Sequence, residues 1–139
     1  MTAEIIASEH QVDVTTCAEL QEINFGELEG LTFEEISRLY PEVTKLWAER
    51  SPKLKYPGGE SVDQFSNRVS KFLGRLKKHT PGETVLIVAH SGVLRTLVCQ
   101  LLGIELHHRW QFRLDLASLS ILETHPQGAI LNLLNDISH

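Results

Sequence analysis

His90, Ser91 and Gly92 interrupt the apolar stretch TVLIVAHSGVLRTLVCQLLG (residues 84–103). They fall between a strand-like run and a helix-like run. The free amides around Gly92 and Val93 would therefore point out of a helix N-terminus and, with the helix dipole, favour an anion. A protonated His90 would add charge and donors to the same anion. The alternative is that these residues only cap and turn the chain. Ser91 suggests a second chemistry, because a strand–serine–helix turn is where a hydrolase nucleophile sits. That elbow is G-x-S-x-G, and its glycine positions are held here by Ala89 and Val93. Ser91 reads better as an N-cap or a supporting hydroxyl, with a serine hydrolase as the competing function.

The next group lies in LQEINFGELEG (residues 20–30). Three acids in one loop are ordinarily solvated. Glu22 differs from Glu27 and Glu29 because it follows Leu20 in strand-like alternation and precedes Ile23 and Phe25. Placed at a strand end and partly desolvated, it would hold its proton as a general acid must. Gly26 and Gly30 serve backbone geometry. Turn geometry accounts for Gly58-Gly59 as well, although that loop is able to approach a ligand. His107-His108 resemble a metal pair by count alone. Adjacent residues on a helix do not face one another and no H-E-x-x-H spacing occurs, so surface histidines and no metal are expected.

Positioning these groups requires alternating elements. TAEIIASEH predicts a short helix with Ile5 and Ile6 as its apolar pair, followed by a possible strand at VDV. Thr32 and Glu35 form a T-x-x-E capping box, and Pro41 restarts a helix that runs through EVTKLWAER to Ser51-Pro52. Ser61 and Gln64 open a third helix, in which Val62, Phe65, Val69, Phe72 and Leu76 keep the helical period up to Pro81-Gly82. Thr84–Ala89 reads as a strand covered on both faces, as in a parallel sheet. The helix after it carries Val93, Leu94, Leu97, Val98, Leu101 and Leu102 on one stripe and ends at Gly103. ASLSILET and AILNLL flank a turn and predict a closing hairpin. The class is α/β, in a single domain over residues 1–139.

At 139 residues the chain is long enough to bury a core without disulfides, and its 42% hydrophobic and 22% charged residues match soluble globular proteins. Net charge is −5, with no basic cluster beyond Lys77-Lys78, which argues against nucleic acid. An anionic ligand would need a local cationic pocket to overcome that charge. Cys17 and Cys99 lack metal or redox spacing, and Cys99 is expected as a buried, inert thiol. No apolar run spans a bilayer and MTAEIIASEH lacks the order of a secretion signal, so a cytoplasmic protein without membrane contact is expected.

Taken together, LQEINFGELEGLTFEEI, PGGESVDQFSNRV and VLIVAHSGVLRTLVCQLLG resemble the histidine phosphatase (phosphoglycerate mutase-like) superfamily in order and spacing. LDLASLSILE and LNDISH fit as well, and the α-ribazole phosphatase and broad-specificity bacterial branch is most similar. The resemblance implies a three-layer αβα fold and a phosphomonoesterase acting through phosphohistidine, with no cofactor. It implies that Glu22 protonates the leaving alcohol and that His90, with Ser91 and Gly92, holds the phosphoryl group of a small-molecule phosphomonoester. The family nucleophile lies in an R-H-G motif after the first, central strand, and no R-H-G occurs in this sequence. A truncated form with little or no activity alone is therefore expected, its unpaired sheet edges favouring a homodimer or aggregation. A non-catalytic phospho-ligand-binding or interaction module is the alternative. The substrate stays open among α-ribazole phosphate, sugar phosphates and nucleotides.

Overall fold

Thr32 and Ser61 start their helices as the capping boxes predict. The computed structural model describes Met1–His139. Thr32 Oγ1 accepts from the Glu35 amide at 3.3 Å and Glu35 Oε2 accepts from the Thr32 amide at 2.7 Å, opening α2 (Phe33–Leu39). Ser61 and Gln64 exchange the same pair of bonds at 3.1 and 2.9 Å at the head of α4 (Val62–Leu76). α1 spans Thr2–His10, where Ala7 is the buried residue and Ile5 is exposed. α3 (Pro41–Ala48) begins at its proline and stops short of Ser51, because Arg50 turns the chain at φ 53°. α5 (Ser91–Leu102) ends on Gly103 at φ 67°, a left-handed residue that costs glycine no steric penalty.

Helix α4 joins two apolar clusters. Its first residue, Val62, packs with Leu28, Ile36, Val43, Leu54 and Tyr56. One turn on, Phe65, Val69 and Phe72 pack with Val93 and Leu97 of α5. Val69 and Val93 are completely buried, and each such side chain contributes roughly 1.5–3 kcal/mol. Gln100 of α5 fastens the pair by donating to the Ser66 carbonyl at 3.1 Å. Cys99 is buried, as expected, and burial pushes its thiol pKa up.

The closing hairpin is present as β1 (Leu119–His125) and β2 (Gly128–Asp136), antiparallel, with His125 opposite Gly128 across the turn. It is the whole sheet. Thr84–Ala89, read from sequence as a strand buried on both faces, instead forms no strand, with Val85, Leu86 and Val88 exposed and Ile87 and Ala89 packed against the α4–α5 cluster. VDV likewise forms no strand, and Val12 and Val14 are exposed. A strand needs a neighbour to bond as well as an apolar pattern, and neither segment pairs with one.

Candidate active site

Helix α5 and the loop after the 3-10 turn Ala18–Leu20 bring Glu22 and His90–Gly92 together. Gly92 shows how closely. A Cβ built on it would stand 2.7 Å from Glu22 Oε1. Glu22 is half-buried, and its Oε1 accepts from the Ile23 amide at 2.9 Å. No strand ends at Glu22, contrary to the alternation read around Leu20, because Leu20 belongs to the 3-10 turn. His90 is the N-cap of α5 in extended conformation, and Ser91, read above as the cap, is the first helical residue. The His90 carbonyl accepts the first helical bond, from Leu94, at 2.9 Å. The amides of Ser91, Gly92 and Val93 are thereby the unused donors of the first turn, beside the exposed His90 side chain. Ser91 Oγ has no histidine or carboxylate within hydrogen-bond distance, so nothing activates it as a nucleophile.

One side chain that sequence reasoning missed holds the Glu22 loop. Arg68, on α4, donates through Nε and Nη2 to both carboxylate oxygens of Glu60 at 2.9 and 2.8 Å. Its Nη1 reaches the carbonyls of Gln21 at 2.9 Å and Glu19 at 3.0 Å. Glu60 in turn accepts from the Asn24 amide at 3.0 Å. Hydrogen bonding from Arg68 holds the Glu60 carboxyl below the ordinary range, and the Arg68 pKa rises by the same contact. The two loops also cross at backbone distance: a Cβ on Gly26 would lie 2.2 Å from the Pro57 carbonyl oxygen, and Gly26 sits at φ 57°. Gly26 and Gly59 thus serve loop packing, as read for the glycines here.

Beyond Gly92 opens a cavity of about 210 Å³, bordered by Trp47, Arg50, Tyr56, Arg95, Arg109 and Trp110 among others. Tyr56 is buried and accepts from Trp47 Nε1 at 2.9 Å. Burial pushes its phenol pKa up, and the charge of Glu22 adds to the rise. Burial also pulls Arg109 below the usual arginine range, with Arg50 and Arg95 contributing. Neither the arginines nor the cavity was singled out in the sequence, because they converge from three separate segments.

His107 and His108 depart from their sequence reading. They lie in a 3-10 turn, Leu106–Gln111, with ring centroids 3.9 Å apart, and Glu105 brings its carboxylate within 4.8 Å of both. The sequence reading denied that these neighbours meet, and here their rings do. Glu105 and His107 are exposed, and His107 Nδ1 pairs with Glu105 at 3.1 Å. No helix is long and apolar enough to cross a membrane.

Known proteins resemble this chain along its whole length. The chain is 33% identical over 139 residues to phosphoserine phosphatase 1 of Hydrogenobacter thermophilus, covering all of this chain and 66% of that protein. It is 30% identical over 134 residues to adenosylcobalamin/alpha-ribazole phosphatase of Escherichia coli, covering 96% of this chain and 66% of the relative. The crystal structure of the alpha-ribazole phosphatase from Shigella flexneri superimposes with a TM-score of 0.87 at 30% identity, covering 97% of this chain and 67% of that one. The chain thus spans about two thirds of the length of these relatives. The fold is that of the phosphoglycerate mutase-like phosphatases over the shared part, with residues 84–89 unpaired here. The sequence model of the histidine phosphatase superfamily (branch 1) matches residues 1–137, and with the relatives above it establishes that the chain belongs to that superfamily.

Proposed function

We propose that this chain carries the proton-donating and phosphate-holding part of a phosphomonoesterase site. The observation that carries the reading is the apposition of the Glu22 carboxylate and Gly92 at the head of α5, next to His90. An anion seated on the amides of residues 91–93 would lie beside both side chains. His90, protonated, stabilises charge on the transferring phosphoryl oxygens. Glu22 gives its proton to the leaving oxygen as the bond from phosphorus to that oxygen breaks. The resemblance assigns the new bond to an attacking histidine, giving phosphohistidine that water later hydrolyses to inorganic phosphate. That histidine belongs to R-H-G, which this sequence does not contain, so the chain alone is expected to bind phosphate and turn over little or none. The relatives' names offer α-ribazole phosphate and phosphoserine as substrate candidates.

Phosphate binding to the purified chain, followed by tryptophan fluorescence, tests the site, and hydrolysis of phenyl phosphate tests the activity. Saturable phosphate binding that is lost in His90→Ala, with hydrolysis at the background of a mock preparation, is the expected result. Identical phosphate titrations of the two proteins would refute the site. Turnover above background that disappears in His90→Ala would refute the claim that the attacking group is missing.

A further inference from the structure

Two imidazoles and a carboxylate meet on the turn that follows α5. One nitrogen or oxygen atom from each of Glu105, His107 and His108 lies within 4.8 Å of the other two. His107 Nδ1 is 3.1 Å from Glu105 Oε2, and the two rings are tilted against each other with centroids 3.9 Å apart. The phosphate chemistry proposed above uses none of the three. Elsewhere a histidine meets a carboxylate only in pairs, His79 with Glu83 and His125 with Glu123. Here a second imidazole joins.

The backbone beneath the group is fixed. Glu105 caps the 3-10 turn, its carbonyl accepts from the His108 amide at 2.9 Å, and Leu106 packs against the cluster around Val62. Gln111 Nε2 lies 3.1 Å from His108 Nδ1, so a further polar side chain steadies that ring, as supporting groups steady metal-binding imidazoles. Donor atoms around a tetrahedral zinc ion, each about 2.1 Å from it, stand roughly 3.4 Å from one another. Glu105 and His107 already approach that spacing, and both are exposed and free to turn toward His108. Two imidazoles with one carboxylate suit zinc, nickel or copper, whereas magnesium and calcium take oxygen ligands. His107 also borders the cavity beside Gly92, as do Arg50 and Arg109. Their guanidiniums repel any cation, a cost that two imidazole donor bonds can exceed and one carboxylate cannot. We propose that Glu105, His107 and His108 bind one divalent transition-metal ion of the zinc class at the rim of that cavity. Three protein ligands leave a coordination position open to water. The proposal is independent of the phosphate site.

Isothermal titration of zinc chloride into the untagged, chelator-treated chain tests it. One equivalent should bind ahead of any weaker sites. His107→Ala and His108→Ala should each weaken that equivalent at least about tenfold, the lower end of what metal sites lose even with a supporting group. Glu105→Gln should weaken it too. Glu105 and His107 are exposed, so those two variants keep the fold, which far-ultraviolet circular dichroism verifies. A combined His79→Ala, His125→Ala variant removes the two-ligand pairs and should retain the tight equivalent. Cobalt chloride in place of zinc should give a visible absorption band that saturates at one equivalent and is lost in His107→Ala. Absence of saturable zinc binding, or an equivalent that either His107→Ala or His108→Ala leaves unchanged, would overturn the site. Its loss in the His79→Ala, His125→Ala control would do the same. Equal affinity for magnesium chloride would overturn the assignment to a transition metal.

Discussion

Replacing Arg68 with methionine removes the charge and the donors while keeping much of the stem that lies along α4. The loss is calculable in outline. Two short bonds to Glu60 vanish, as do two to the carbonyls of Glu19 and Gln21 and longer ones to Ala18 and Glu22. Removing one partner of a fully buried pair costs roughly 3–5 kcal/mol. Arg68 and Glu60 are 22% and 23% exposed, so water compensates part of this and about 2–3 kcal/mol is expected. Glu60→Gln, which keeps an acceptor for Arg68, should cost about half as much, and the double variant should show coupling of about 1 kcal/mol. Urea unfolding followed by tryptophan fluorescence measures these values, and amide exchange over residues 18–24 locates them. The pH dependence has a definite sign. Arg68 depresses the folded pKa of Glu60, so this contribution is complete above the unfolded glutamate pKa of about 4.3 and is lost as pH falls through the folded value. Arg68→Met should therefore flatten the acid limb of the stability curve and leave neutral-pH slopes alone. A cost below about 0.5 kcal/mol, or a cost without faster exchange around Glu22, would show that Arg68 does not brace the acid's loop.

Two further perturbations follow. Gly26→Ala places a Cβ 2.2 Å from a backbone oxygen at a residue with φ 57°, so it should destabilise by at least about 2 kcal/mol in thermal or urea unfolding. Leu86→Lys with Val88→Lys falls on exposed, unpaired backbone, so stability should change by less than about 0.5 kcal/mol. The same pair should reduce self-association measured by light scattering, because charges on an open strand edge oppose edge-to-edge pairing; unchanged scattering would absolve that edge.

Local signals in the sequence were read accurately where the structure they specify is itself local. The boxes at Thr32 and Ser61, the period of α4, the left-handed Gly103 and the final hairpin each involve residues a few positions apart. Glu22 was singled out from its neighbours and lies against Gly92 at the head of α5, although it reaches that place through a 3-10 turn rather than a strand. The partners of Arg68 lie 46 to 50 residues away in the loop, a separation that no periodicity encodes. Arg50, Arg95 and Arg109 come from separate segments, and no spacing within any one of them points to a shared cavity. Thr84–Ala89 failed for another reason, since its own residues supply the apolar, β-branched pattern but not the neighbour that would make it a strand. His107 and His108 were judged by helical spacing alone, which does not foresee that their rings meet.

The open backbone of Thr84–Ala89 also bears on affinity, because it runs straight into His90. Val93 and Leu97 seat α5 in the core, and Ile87 and Ala89 pack against the same cluster, so what is missing N-terminal to His90 is hydrogen bonding rather than packing. Restricting the backbone of one residue costs roughly 1–2 kcal/mol. An anion that must immobilise the His90 backbone as it binds forfeits about one power of ten in affinity. A bonding neighbour laid along residues 84–89 would meet that entropy beforehand and would tighten phosphate binding without touching the phosphate.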